Sequence, residues 1–379
     1  MKTILINSTT CIKGGAIQVS ANLIEGFNKD YSSQFKFVYC VSSEVNSNLK
    51  TNNILPKKNY YVFEDSPSKI LFRPKAQRIF NNILKKHNPV LCYNIFGPSY
   101  IKFNCYCITG VADGWMTHSN KFSWTLLTNF EKIKRRLLTI YKLMYLKDND
   151  ELWIENEIAK PVLEKKLGIK KISVIPNSVN SKYLINDHQF NFDENNLRIF
   201  MLSSDYSHKN LNIIYPIIKE MIRNNIFKIK FVLTLPEKGS TISYFKNKND
   251  WPLISKYIEN LGPLDVNQCI NQYKLSSIVF LPSNLESYSA VYAESLIMNR
   301  ILLVTDLDFS KTILNNSAVY FKPNNWLDAY NKIIQIIKSK KLREQIRINI
   351  IDGKMKVLDI NKKIDLHVNQ IKLAINEKT

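Results

Sequence analysis

The sequence predicts an α/β protein of two doubly wound parallel-sheet domains, and three observations lead there. Short apolar runs alternate with helical periods along nearly the whole chain. Those runs are apolar at consecutive positions, as strands buried on both faces require. The chain has 379 residues, more than the roughly 250–300 that a single core sustains.

Strands are expected first at residues 3–7, 35–41, 90–95, 152–154 and 172–175. A second set is expected at residues 198–202, 228–235, 277–281 and 300–305. Helical periods lie between them at residues 16–27, 69–86, 157–167, 210–223 and 326–337, and Ser66-Pro67-Ser68 reads as the start signal of the second helix. After Pro176-Asn177-Ser178 the stretch 180–196 is polar, rich in Asn and Asp, and without period. This linker divides a Rossmann-like domain at 1–190 from a second at 191–355. A last helix, within 356–379, is expected to pack back on the first domain.

No apolar run approaches the roughly 20 residues of a membrane-spanning helix. The opening Met1–Asn7 has an apolar stretch of three residues, which reads as a first strand of a cytoplasmic protein rather than a secretory leader. The six cysteines (Cys11, Cys40, Cys92, Cys105, Cys107, Cys269) are scattered without C-x-x-C, as small apolar residues of a reducing compartment. Five histidines without metal-ligand spacing argue against a zinc site.

Fifty-three Lys and Arg against 32 Asp and Glu give a net charge of +21. Such a balance favours anionic partners: nucleic acid, anionic lipid or phosphorylated substrates. A nucleic-acid-binding protein finds no support in aromatic-basic, zinc or helix-turn-helix motifs. Much of the basicity is Lys among many Asn and Ile, as an AT-rich genome would produce.

Two segments can carry chemistry. Lys13-Gly14-Gly15 lies between the first strand and its helix, where backbone N–H groups face the crevice above a sheet. A strand-to-helix turn alone would use the same glycines. In Leu281–Ser295 a strand leads through a loop bearing Glu286 into a helix bearing Glu294. The N–H groups of Tyr288, Ser289 and Ala290 at that helix start suit a diphosphate, and the two carboxylates suit sugar hydroxyls. The alternative makes Glu286 a helix-start charge and Glu294 a solvated residue, yet Glu294 stands among Val291, Ala293, Leu296 and Ile297.

Glu286 and Glu294, with seven residues between them, resemble the E-x7-E signature of retaining glycosyltransferases of family 4, which have the GT-B fold. Gly14-Gly15 resembles the family's N-terminal glycine loop, and Val174–Val179 its V-I-P-N-G-V segment. Ser203–Asn210 resembles the loop that carries its phosphate-binding lysine, here Lys209. The resemblance spans about residues 1–350 and rests on the order of these motifs. The sequence departs from the pattern at Ser204, where the family has an arginine, and at Ser178 and Ser289, where it has glycines. Near the acceptor side, Gly110–Trp115 stands where a family histidine is expected, with Asp113 and His118 as candidates.

The resemblance implies two Rossmann-like domains facing a cleft, and transfer of a hexosyl group from a nucleotide diphosphate sugar with retention and without a metal or other cofactor. Glu286, Lys209 and Asp113 are the implied catalytic residues. The implied donor-binding set is Gly14, Gly15, Ser204, Lys209, Leu261, Gly262, Glu286, Tyr288, Ser289, Ala290 and Glu294. A GT-B sugar-nucleotide epimerase is the competing enzyme. Residues 130–147, FEKIKRRLLTIYKLMYLK, repeat apolar residues at helical spacing beside six basic ones. The segment fits an anionic membrane surface or a helix packed on the core. Together these features suggest a lipid-linked glycan acceptor, bacterial surface-polysaccharide synthesis (O-antigen or capsule), and a peripheral position on the inner face of the cytoplasmic membrane.

Overall fold

Runs of Ile, Leu, Val and aromatic residues pair as parallel strands in two sheets. The computed structural model describes residues 1–185, 188–190 and 192–377. Residues 186, 187 and 191, which fall within the expected linker, lie outside the described residues. The first sheet holds β1 (Thr3–Ser8), β2 (Lys36–Ser42), β3 (Tyr60–Phe63), β4 (Leu91–Asn94), β5 (Tyr106–Val111), β6 (Glu151–Ile154) and β7 (Ile172–Val174), in the order β3-β2-β1-β4-β5-β6-β7. The second holds β8 (Leu197–Met201), β9 (Ile229–Leu233), β10 (Ile258–Asn260), β11 (Ile278–Leu281), β12 (Ile301–Thr305) and β13 (Val319–Phe321), in the order β10-β9-β8-β11-β12-β13. Each sheet grows outward from its first strand in one direction, then restarts on the other side. The reversals fall between β1 and β4 and between β8 and β11, where a crevice opens at the carboxyl ends of the strands.

The chain packs as two units. One comprises residues 1–117, 135–177 and 360–379; the other comprises 118–134 and 178–359. Residues 118–134 join the second unit through specific bonds. Asn120 Nδ2 donates to the Asn284 carbonyl at 2.9 Å, and Asn324 Nδ2 to Thr125 Oγ1 at 3.1 Å.

Helix Ile360–Asn376 belongs to the first unit, where Val368, Ile371 and Ala374 join the core beneath β1 and β4. It lies so close to helix Gly15–Asp30 that a Cβ on Gly26 would fall 2.2 Å from Ile364 Cδ1. Its inward polar groups are matched except His367 Nε2, which has no hydrogen-bond partner among the described residues. Lys363 Nζ donates to Asn177 Oδ1 at 2.8 Å and lies 3.7 Å from Glu155 Oε1, Gln370 donates to Glu151 at 2.6 Å, and His367 Nδ1 pairs with the Tyr93 hydroxyl at 2.5 Å. Burial lowers the Lys363 pKa and raises that of Glu155, and the nearness of each to the other opposes both shifts.

The Ser66 start signal is corrected. The helix begins at Arg73, with Phe72 before it. Ser66 Oγ instead accepts from the N–H of Ser68, closing a turn whose Pro67 and Ser68 carbonyls accept from the Arg73 guanidinium. β3, β5, β10 and β13 lie outside the expected strand set, β5 because Thr109 and Gly110 interrupt its apolar run. β3 is an edge strand whose Val62 stays 44% exposed, and β10 and β13 are three residues long, too short to show a period.

Candidate active site

β8 and β11 are hydrogen-bonded neighbours, with Ile278 opposite Ile199 and Val279 opposite Phe200. The loops leaving their carboxyl ends therefore run side by side, and bonds stitch them together. Asn284 N–H donates to the His208 carbonyl at 2.8 Å, and Asn284 Nδ2 reaches the loop after β13 at Asn324 Oδ1, 2.5 Å away. On the other flank Asp205 accepts from Thr241 Oγ1 at 2.6 Å and from Ser240 Oγ at 3.0 Å, which anchors the 203–210 loop to the start of helix Ser240–Lys246.

This framework brings Lys209 Nζ to 2.6 Å from Glu286 Oε1, with the two side chains 15% and 9% exposed. The pair stands at the reversal point of the second sheet, where ligands of open α/β sheets bind. Opposite charges shielded from water at this distance form a strong, directional contact. His118, brought in by the 118–134 segment, is buried and feels the Glu286 charge. Burial outweighs that charge and depresses its pKa to about 4, leaving a neutral imidazole at pH 7. Its ring meets Phe309 edge-on.

Helix Ala290–Ile297 follows Glu286, with Ser289 at its N-cap making no side-chain capping bond. Its first N–H groups are thus not taken by a cap, the condition for holding an anion there. Tyr288 is half-buried, Ser289 buried and Ala290 exposed. Glu294 sits one turn inside and accepts from the Tyr273 hydroxyl at 2.8 Å, with Tyr183 as a second partner. Burial lifts its pKa to about 7 against the pull of both hydroxyls. Ser204 is exposed beside the Asp205 anchor. Leu261 N–H bonds the Leu233 carbonyl at 2.9 Å, and Gly262 follows with φ +74° and open space at its Cβ position.

The remaining two expected sites lie in the first unit. Gly14 is the N-cap of helix Gly15–Asp30 at φ 60°, ψ −147°, a conformation suited to glycine, and the space beyond both glycines is open. Asp113 Oδ2 accepts from Lys142 Nζ at 2.6 Å and its Oδ1 from the Trp115 N–H at 3.0 Å. The structure thus unites Lys209, Glu286 and the helix start with His118. Sequence reading had named His118 only beside Asp113, because its relation to Glu286 is set by the fold. Among the described residues, no group of three or more His, Cys, Asp or Glu is placed to hold a metal ion.

Two parallel-sheet Rossmann-like units of this kind define a GT-B fold, and solved structures agree. Sucrose-phosphate synthase from Thermosynechococcus elongatus matches at 12% identity and TM-score 0.74 over 100% of both chains. Anabaena Alr3699/HepE, in complex with UDP and glucose, matches at 11% identity and TM-score 0.71, covering 98% of this chain and 99% of that one. A Listeria monocytogenes chain assigned as a UDP-N-acetylglucosamine 2-epimerase matches at 14% identity and TM-score 0.62, covering 99% and 97%. Residues 185–352, which hold Lys209, Glu286 and Glu294, match the family described as glycosyl transferases group 1. These findings establish the GT-B fold, with residues 185–352 similar in sequence to glycosyl transferases group 1. No curated protein matches the chain.

Proposed function

We propose that the chain is a retaining, metal-independent glycosyltransferase of family 4, moving a hexosyl group from a nucleotide diphosphate sugar to a hydroxyl of a lipid-linked glycan. The observation that carries this reading is the Lys209–Glu286 pair, with His118 beside it, at the reversal point of the second sheet. On donor entry Lys209 exchanges the carboxylate for diphosphate oxygens. Glu286 is then available to accept from the sugar hydroxyls, and neutral His118 to bond the same sugar. The N–H groups at Tyr288–Ala290 complete the phosphate contacts, and Glu294 accepts from the ribose. As the bond from the anomeric carbon to the diphosphate breaks, negative charge grows on the leaving oxygen, where Lys209 and the helix start stabilise it. The acceptor oxygen bonds the anomeric carbon on the same face, and its proton passes to the leaving phosphate. Surface-polysaccharide synthesis at the inner face of the bacterial cytoplasmic membrane fits such an acceptor.

A thermal-shift panel of nucleoside diphosphates tests the donor site. A ligand at 100 times its Kd should add about 2.7 kcal/mol of stability, and no shift with any nucleotide overturns the proposal. Transfer should persist in excess EDTA. The epimerase reading, favoured by the fold shared with the Listeria chain, predicts conversion of the sugar nucleotide with no acceptor present.

A further inference from the structure

Helix Asn129–Leu146 turns two unlike faces outward and inward. On the inward side Leu146 is buried, and Arg73 donates to the Tyr141 and Tyr145 hydroxyls at 2.5 and 2.7 Å. Lys142 pairs with Asp113, and Arg135 lies over the Trp115 ring. Outward, Phe130, Ile133, Leu137, Ile140 and Met144 are 75%, 59%, 63%, 57% and 61% exposed. At about 100° per residue these five fall within an arc of roughly 80°. The core-packing reading of this apolar row is therefore corrected: the tyrosines and Leu146 face the core, and the aliphatic row faces solvent.

Isolated exposed leucines are ordinary, but a continuous apolar row along one helix marks an interaction surface. Its charge surroundings choose the partner. From Lys132 to Lys147 there are six basic residues and no acidic one. By helical angle, exposed Arg136 and Lys147 border the row on one side and exposed Lys134 on the other. An apolar strip between basic borders complements acyl chains beneath anionic headgroups. None of the described helices is long and apolar enough to cross a membrane, so the contact lies in the interface plane.

We infer that the outer face of helix Asn129–Leu146 seats on an anionic lipid bilayer. The inference deepens the membrane side of the proposed function, and its test needs neither donor nor acceptor, so either can fail alone. The full chain is co-sedimented with vesicles of phosphatidylcholine alone and with 30% phosphatidylglycerol (an amount of about one lipid in three, set to mimic an anionic leaflet). Binding to the anionic vesicles should be at least about tenfold tighter and should weaken with salt. The combined change Leu137→Ser, Ile140→Ser and Met144→Ser should abolish it. Lys134→Gln, Arg136→Gln and Lys147→Gln together should weaken it about tenfold or more, and both variants should melt like the parent. Arg135 is left intact because it packs on Trp115. No anionic preference, or unaltered binding by the serine variant, overturns the inference. So does a dimer in sedimentation velocity that the serine variant dissolves, since a second copy would then cover the row.

Discussion

The two sheets share a layout but fill their reversal points differently. Between β1 and β4 the first sheet carries neutral amides: Asn7 Nδ2 donates to Asn94 Oδ1 at 2.7 Å, and Asn94 Nδ2 to Thr109 Oγ1 at 2.8 Å. All three residues are at most 1% exposed, so this ladder fastens three adjacent strands. Between β8 and β11 the second sheet carries Lys209, Glu286 and His118. A neutral ladder is complete within itself, whereas a charge pair at the edge of water can exchange partners with an anionic ligand. One topology thus yields a structural joint in one unit and the proposed site of reaction in the other.

The comparison breaks most sharply at Glu286. Glu286→Gln keeps the side-chain shape and an oxygen for Lys209 but removes the charge, so turnover should fall by about 10²–10³-fold, far more than the loss of stability from the unpaired Lys209 explains. Steady-state transfer assays measure this, and near-parental turnover would remove Glu286 from the reaction. The ladder predicts the opposite signature. Asn94→Leu leaves Asn7 Nδ2 without its acceptor and Thr109 Oγ1 without the amide that donates to it, and should cost about 2–4 kcal/mol in urea unfolding. A loss confined to activity would make the ladder functional instead.

Glu294 sharpens the contrast through pH. Its folded-state pKa, about 7, lies above the ordinary 4.5. The folded protein therefore holds a proton that the unfolded chain releases, and the stability present below about pH 4.5 is lost as pH rises through 7. Glu294→Gln removes that loss. The variant should gain in melting temperature relative to the parent between pH 5 and pH 8, and bind nucleoside diphosphate more weakly at pH 8. His118, with its pKa depressed, titrates in the opposite direction in both proteins and cancels in the difference. The smallest effect is expected at Asp113→Asn, which loosens a partly exposed pair with Lys142 and should cost under about 1 kcal/mol. A large loss of transfer at constant stability would instead place Asp113 at the acceptor.

The strands flanking both reversal points were readable because their consecutive apolar residues state burial on two faces. Edge strands such as β3 and β10 hid because exposure or shortness erases that signature. Lys209 and Glu286 were readable as members of loops after strands, but their contact follows from strand order, since only the β8–β11 adjacency sets those loops together. His118 beside Glu286, and Lys363 beneath the last helix, depend on chain segments returning from far along the sequence. No local pattern encodes such returns. The outward face of helix Asn129–Leu146 was likewise open in the sequence: its periodicity revealed a row, and the Arg73–tyrosine contacts decided which side was covered.

The dependence of the first unit on helix Ile360–Asn376 has a consequence for biosynthesis. Its strands emerge from the ribosome first, yet the helix that completes their core and matches Tyr93, Glu151 and Glu155 is made after the whole second unit. A nascent chain therefore exposes the apolar surface around Ile364, Val368 and Ile371 while residues 178–359 are being translated. The unit whose strands are made before those of the second unit is completed only after it.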